Sequence, residues 1–201
     1  MSRPLSRADL DPDPVVQFNT WFAEAREAGE PDVNAMCLST VAASGQPSAR
    51  TVLLKYFDDL GFVFYTNYGS RKAREIEAQP RVALLFHWTS VHRQVCITGQ
   101  ASRIPAGQSL KYFMSRPHGS QLGAWVSEQS QVIASRAVLE HALDDIKSRF
   151  SEGKVPLPSF WGGYRVVPET IEFWQGRRNR LHDRLQYRRD DGGWLIERLS
   201  P

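Results

Sequence analysis

The sequence predicts a mainly β protein, an antiparallel β-barrel decorated by helices, and three observations carry that expectation. About eight runs rich in apolar and β-branched residues are joined by short turns. The few stretches with helical spacing fall between groups of strands. Strict alternation of strand and helix, the mark of a doubly wound parallel sheet, is absent.

In chain order, residues 1–12 are polar and contain proline, and are expected to form a flexible arm. Residues 13–201 are expected to form a single domain. Asp13-Pro14 reads as a helix cap with proline at the first helical position. Val15, Phe18, Trp21, Phe22 and Ala25 then recur at helical spacing until Gly29, and their aromatic rings are core material. From Ala35 the period becomes that of strands: 36–41, 50–57 and 62–66, separated by Ser44-Gly45-Gln46-Pro47 and by Asp58-Asp59-Leu60-Gly61. Three strands so connected predict an antiparallel meander. A short helix starts at Ser70 and stops at Pro80, and strands are expected over 81–88 and 93–103. Pro105 opens a helix that ends in the loop Arg116-Pro117-His118-Gly119-Ser120, and a longer helix covers about 135–150. The last third reads as strands over 160–167, 170–175, 180–188 and 194–199.

Composition narrows the classes of function. Hydrophobic residues make up 41% and charged residues 23% of the chain, enough apolar content for a real core. No apolar run approaches the roughly 20 residues needed to span a bilayer, and the N-terminus lacks the apolar stretch of a signal peptide. Cys37 and Cys96 have neither metal-ligand nor disulfide spacing, so buried free thiols and a cytoplasmic location are expected. The net charge of +3 raises nucleic acid as a partner, but 25 basic residues are nearly matched by 22 acidic ones and are spread along the chain. That distribution suits local anion sites and not a continuous phosphate-tracking surface.

Four places concentrate cations where a bland surface does not need them. Arg50 and Lys55 bracket the apolar run Thr51-Val52-Leu53-Leu54. Ser70-Arg71-Lys72 puts two cations at the positive pole of a helix, a misfit unless an anion binds there. Tyr112 and Arg116 share a helix face and Ser120 follows. In Trp174-Gln175-Gly176-Arg177-Arg178-Asn179-Arg180-Leu181-His182-Asp183-Arg184, period 2 would place Arg178, Arg180, His182 and Arg184 on one face of a strand. Such a row fits either a site for a phosphorylated small molecule or an exposed basic edge strand that discourages aggregation.

Several long motifs, in order, carry a resemblance that covers the chain from about Asp9 onward. They are Arg50-Thr51-Val52-Leu53-Leu54-Lys55, Phe64-Tyr65-Thr66-Asn67 with Gly69-Ser70-Arg71-Lys72, and Gly123-Ala124-Trp125-Val126-Ser127. Pro156-Leu157-Pro158-Ser159-Phe160-Trp161-Gly162-Gly163, Phe173-Trp174-Gln175-Gly176, Arg180-Leu181-His182-Asp183-Arg184 and Ile196-Glu197-Arg198-Leu199-Ser200-Pro201 complete the set. Together they resemble the pyridoxine/pyridoxamine 5′-phosphate oxidase family. The resemblance implies an FMN-binding split β-barrel that works as a homodimer with two flavins at the subunit interface. The implied reaction oxidises the C4′ carbon of pyridoxine or pyridoxamine 5′-phosphate by hydride transfer to the flavin. It yields pyridoxal 5′-phosphate, with ammonia released from the amine and O2 reduced to H2O2.

Carried over residue by residue, Arg50, Thr51, Val52, Leu53, Leu54, Lys55, Tyr65, Thr66, Arg71, Lys72, Gln94, Gln129, Ser130, Trp174 and Arg184 match the family's flavin contacts. Lys55, Tyr112, Arg116 and Ser120 match its grip on the substrate phosphate, and Arg180, Leu181 and His182 its contacts near the reacting ring. Arg180 and His182 are the expected catalytic pair, by orientation and charge stabilisation. The resemblance implies no metal. One departure stands at the N-terminus. The family commonly has a longer arm with an Arg/Tyr-containing segment that can cover the substrate, and here the first helix follows Met1 too closely to include one. Lid closure is expected to differ and the core site to be unaffected.

Overall fold

In the computed structural model, residues 4–126, 129–151 and 153–201 are described. A cap made by Asp13, whose Oδ1 accepts from Val15 N at 2.7 Å, starts helix α1 (Pro14–Glu27), with Pro14 in the first turn. The strands are β1 (Ala35–Val41), β2 (Pro47–Leu53), β3 (Tyr56–Asp58), β4 (Gly61–Asn67), β5 (Arg81–Trp88), β6 (Arg93–Arg103), β7 (Trp161–Gln175), β8 (Asp183–Asp190) and β9 (Gly193–Arg198). Four more helices flank them: α2 (Arg71–Ala78), α3 (Ala106–Ser115), α4 (His118–Val126) and α5 (Arg136–Arg149). The nine strands form one antiparallel sheet in the order β2-β1-β5-β6-β7-β4-β3, with β8 and β9 added beyond β7. The sheet curls into a split half-barrel, and the helices lie on its flanks as the sequence predicts.

The core is aromatic. Phe18 of α1 is fully buried and meets the rings of Phe57, Phe62 and Phe86 edge-on at 4.9, 4.9 and 5.0 Å. A second cluster joins Phe113, Leu122, Ala124, Val155 and Trp161, and fastens α3 and α4 against the start of β7.

Three departures from the sequence reading matter for the site. The run 50–57 is not one strand of a meander. It breaks at Leu54-Lys55, where Leu54 N donates to Asn34 O and Lys55 N to Val63 O, each at 2.8 Å. The first half pairs with β1 and the second with β4, at opposite edges of the sheet. Leu54 is buried and Lys55 exposed, so the break turns the lysine outward.

The two strands expected over 160–175 are one, β7. Its first half pairs with β4 through Val166 and its second half with β8 from Thr170. Pro168, which has no N–H to donate, sits where that edge changes partner, opposite a register shift at Thr98/Gly99. Gly99 is required there, because a Cβ would lie 2.1 Å from Val167 O.

The loop expected after Arg116 is helix α4, with Gln121, Leu122 and Ala124 buried. Gly119 and Gly123 lower its intrinsic propensity and hide it from a reading by pattern. The segment expected to be a loose arm makes specific contacts: Leu5 N donates to Asp183 Oδ2 at 3.0 Å, Tyr187 Oη donates to Asp11 O at 2.6 Å, and Leu10 joins the core. Cys37 and Cys96 are free thiols, half-buried where burial was expected.

Candidate active site

A cleft of about 570 Å³ gathers residues from six elements and the segments between them. Thr51, Val52 and Leu53 come from β2, Lys55 from the strand break, and Tyr65, Thr66 and Asn67 from β4. Lys72 comes from α2, Tyr112 from α3, Ser120 from α4, Trp161 from β7, and Arg116 and Gln129 from the segments on either side of α4. The described lining residues include three cations, Lys55, Lys72 and Arg116, and no carboxylate.

Two of these cations, Lys72 and Arg116, are held without a carboxylate partner among the described residues. Lys72 is buried, and its Nζ donates to Gln129 Oε1 at 2.7 Å and Thr66 Oγ1 at 3.2 Å, both neutral acceptors. Burial, with a smaller contribution from the nearby Arg50 cation, pulls its pKa down to about 8. The Arg116 guanidinium lies 4.7 Å over the Trp161 ring, and its Nη1 is buried without a hydrogen-bond partner. Burial also lowers the Arg116 pKa. A buried donor left unpaired is costly, so an anion that accepts from it is favoured there. Tyr65 stacks on Tyr112 at 4.0 Å and on Trp161 at 5.2 Å, forming an aromatic wall beside the cations. Burial first, then the neighbouring Tyr56 and Tyr112, pushes the Tyr65 hydroxyl up to about 12, so it stays protonated as a donor.

Next to this cleft, the start of α2 is tied to the segment after α4. Ser70 Oγ caps the helix by accepting from Ala73 N at 3.3 Å, and Arg71 N donates to Ser130 Oγ at 3.1 Å. Gln129 Oε1 also accepts from Thr66 Oγ1 at 3.0 Å. Ser130 has a left-handed backbone, φ 74°, a conformation that non-glycine residues adopt at a cost. Arg50 and Arg71 do not line the cleft. Arg50 turns back between β1, β2 and α2 to Thr40 Oγ1, Leu38 O, Ser48 Oγ and Glu75, and Arg71 Nε donates to Glu75 Oε1 at 2.7 Å. Leu54 is part of the core.

The C-terminal stretch is built differently. Residues Arg178–Arg180 form a 3₁₀ turn in which Asn179 and Arg180 have φ 57° and 60°, and β8 begins only at Asp183. The expected strand face of Arg178, Arg180, His182 and Arg184 therefore does not form, because a left-handed turn destroys the period of 2. Arg180 and Leu181 are exposed at its tip. His182 packs beside Trp174, ring centroids 4.7 Å apart, and its Nδ1 accepts from Arg177 N at 3.0 Å, so that in the neutral ring Nε2 is the nitrogen that carries the proton. Trp174 and His182 line a second cleft, of about 780 Å³, together with His87, His92, Arg93 and Arg177. Asp183 is the hub beneath: Arg177 Nε donates to it at 2.6 Å, Arg198 Nη1 at 2.9 Å and Leu5 N at 3.0 Å. Arg184 faces Trp174 across the β7–β8 ladder and is bound two-pronged to Glu172 at 2.7 and 3.0 Å. Gln94 also faces Trp174, from β6.

The expected site thus falls into two clefts with no lining residue in common. Lys55, Tyr65, Thr66, Lys72, Tyr112, Arg116, Ser120 and Gln129 meet in one, and Trp174 and His182 in the other.

Two family models account for most of the chain. The model described as pyridoxamine 5′-phosphate oxidase matches residues 22–150, and the pyridoxine 5′-phosphate oxidase C-terminal dimerisation region matches 161–201. The chain belongs to the pyridoxamine 5′-phosphate oxidase family. Curated relatives are close and collinear. The pyridoxine/pyridoxamine 5′-phosphate oxidase of Rippkaea orientalis is 58% identical over 98% of this chain and 93% of its own. That of Rubrobacter xylanophilus is 57% identical over 100% and 95%. Among solved structures, PhzG from Burkholderia lata, in complex with tetrahydrophenazine-1-carboxylic acid, superposes with a TM-score of 0.92 at 28% identity, covering 98% of both chains. A pyridoxamine 5′-phosphate oxidase-related, FMN-binding protein from Nostoc punctiforme shares the fold, with a TM-score of 0.73 at 18% identity over 92% and 97%. The dimerisation region spans the whole second cleft's β7–β8 side, including the Arg178–Arg180 turn.

Sequence reasoning left Asn67 and Trp161 without a role, although both line the first cleft. Trp161 was legible as a bulky ring preceding Gly162-Gly163 in a strand. Glu75 was also missed; its spacing of four from Arg71 is the signal that marks an ion pair on a helix.

Proposed function

We propose that this protein is an FMN-dependent oxidase that converts pyridoxamine 5′-phosphate and pyridoxine 5′-phosphate to pyridoxal 5′-phosphate. The observation that carries the reading is the first cleft, whose described lining offers Lys55, Lys72 and the unpaired Arg116 Nη1 with no carboxylate to neutralise them. Two phosphorylated ligands held side by side need such a donor set. Relatives at 57–58% identity that bear this activity's name support it.

FMN, when bound, would supply the two-electron acceptor for the C4′ carbon and the route by which O2 becomes H2O2. Lys72, Gln129, Ser130, Thr66, Tyr65, Arg71 and the segment 50–55 would hold it, with Arg50, Arg71 and Arg184 using the N–H groups left over from their carboxylate partners. Gln94 and Trp174 would meet it from the β6–β7 ladder. Lys55, Tyr112, Arg116 and Ser120 would grip the substrate phosphate, which fixes the far end of the pyridine ring. Arg180, Leu181 and His182 would lie over the reacting part of that ring. His182 Nε2 is the donor available there, because Nδ1 is taken by Arg177 N.

The two clefts share no lining residue within one chain, and this supports a homodimer in which the C-terminal turn of one protomer completes the first cleft of the other. A cytoplasmic setting, with two free thiols, goes with the proposal. The test is aerobic turnover: protein loaded with FMN should convert pyridoxamine 5′-phosphate to the aldehyde with stoichiometric peroxide. Protein that binds FMN but leaves both phosphorylated substrates unchanged would refute the assignment.

A further inference from the structure

Glu75 is 5% exposed and sits on α2 one turn beyond Arg71. Both of its oxygens are fully used. Oε1 accepts from Arg71 Nε at 2.7 Å, and Oε2 accepts from Thr40 Oγ1 at 2.5 Å, Ser48 Oγ at 2.6 Å and Arg50 Nη2 at 3.2 Å. It is the one carboxylate among these contacts, and it joins cations from two elements, β2 and α2, to the hydroxyls of β1 and β2. Burial would raise its pKa, but the hydrogen bonds from Ser48, Thr40, Arg71 and Arg50 outweigh that and hold it at about 2, so it is ionised throughout the physiological range. Neither guanidinium lines the first cleft, although both stand beside Lys72.

We propose that Glu75 is a positioning residue for the cofactor phosphate: it fixes Arg50 and Arg71 so that their remaining N–H donors converge on the anion held at the start of α2. The inference rests on the proposed binding of FMN and assigns a role to a residue that touches neither ligand. Two effects of Glu75 on a bound phosphate oppose each other. By charge alone, a carboxylate beside an anion site repels the anion, so removing it would tighten binding. By orientation, removing it frees two arginines that repel each other and Lys72. Arg71, whose side chain is already 54% exposed, would then swing into solvent. Four donors locked onto one buried carboxylate make orientation the larger effect.

The test is a flavin titration of apoprotein, read by quenching of flavin fluorescence, with FMN and with riboflavin, which lacks the phosphate. Glu75→Gln should weaken FMN binding by about tenfold, the scale of one charge-assisted hydrogen bond, with riboflavin affinity unchanged. Ser48→Ala loosens the same carboxylate without altering charge, and should weaken FMN by about threefold with the same selectivity. This second variant keeps the test open if Glu75→Gln does not fold. FMN binding by either variant as tight as or tighter than wild type would overturn the proposal, as would an equal loss for both flavins. Wild-type protein that binds no FMN would overturn the proposed function itself, and that result is read before any variant is made.

Discussion

Two regions of this molecule are rich in arginine and lysine, and they use them in opposite ways. In the first cleft, Lys55, Lys72 and Arg116 stand among described lining residues that include no carboxylate. In the C-terminal region, Arg177 and Arg198 are spent on Asp183 and Arg184 on Glu172, so the cations there mainly build the scaffold. At the turn, Arg180 is exposed and His182, half-buried, lines the second cleft, and these two are the candidates for chemistry. Cation density in a sequence therefore does not identify a ligand site. The missing counter-charge does, and that is a property of the fold.

The largest effect should come from Arg116→Ala. Loss of a desolvated guanidinium on the substrate phosphate should lower kcat/KM for pyridoxamine 5′-phosphate by roughly a hundredfold, about 3 kcal/mol, with FMN retained. Steady-state kinetics on flavin-loaded enzyme read this directly. A comparable loss of flavin would blur the contrast between the cleft's two proposed phosphate grips.

Asp183→Asn should show the scaffold role of the other region. It leaves Arg177 and Arg198 without their carboxylate, and should cost about 2–3 kcal/mol in denaturant unfolding. The pH dependence has a definite sign. Burial would raise the Asp183 pKa, but hydrogen bonds from Leu5, Arg177 and Arg198 bring it below the ordinary value. Its stabilisation is therefore present above the usual carboxylate pKa and lost as pH falls through the lowered folded value, a loss that Asp183→Asn should not show.

Lys72 opposes folding where Asp183 supports it. Its folded pKa of about 8 lies below the free value of 10.5, so the folded apoprotein pays to keep it charged. Between about 8 and 10.5 the unfolded chain binds more protons, so apoprotein stability gains from Lys72 as pH rises through that window. Lys72→Met should raise the Tm of apoprotein at pH 7 and yet weaken FMN by about tenfold. For wild type, FMN affinity should fall as pH rises above 8, because binding then needs a proton taken up at Lys72. Calorimetric titration in two buffers would reveal that proton. The smallest effect belongs to Glu172→Gln, which breaks a pair whose side chains are 17–32% exposed and should cost about 1 kcal/mol or less in stability.

Much of this was legible in the sequence, and what was not has physical reasons. Helical and strand periods located α1, α2 and most strands, because α1 and α2 each bury one face, and located α5, whose Leu143 and Ile146 are only partly buried. The break at Leu54-Lys55 was hidden, since an apolar run carries no record of which neighbour each half pairs with. Helix α4 was masked by Gly119 and Gly123, and the left-handed Asn179-Arg180 turn by a false period of 2. Lys55, Lys72, Tyr112, Arg116, Ser120 and Gln129, expected as ligand contacts, do line one cleft. That set was read from motif resemblance. The pairing state of each cation depends on contacts far apart in the chain, such as Arg50 with Glu75 and Arg177 with Asp183, and emerged only from the fold.

The central claim is that one chain's first cleft works with another chain's Arg178–Arg180 turn. Co-expression of differently tagged Arg116→Ala and Arg180→Ala chains tests it most directly. Each variant alone should bind FMN and be nearly inactive. If sites are shared between protomers, purified mixed dimers carry one doubly altered site and one intact site, and should recover about half of wild-type activity. Mixed dimers that stay as inactive as their parents would place both residues in a site within one chain and contradict the account.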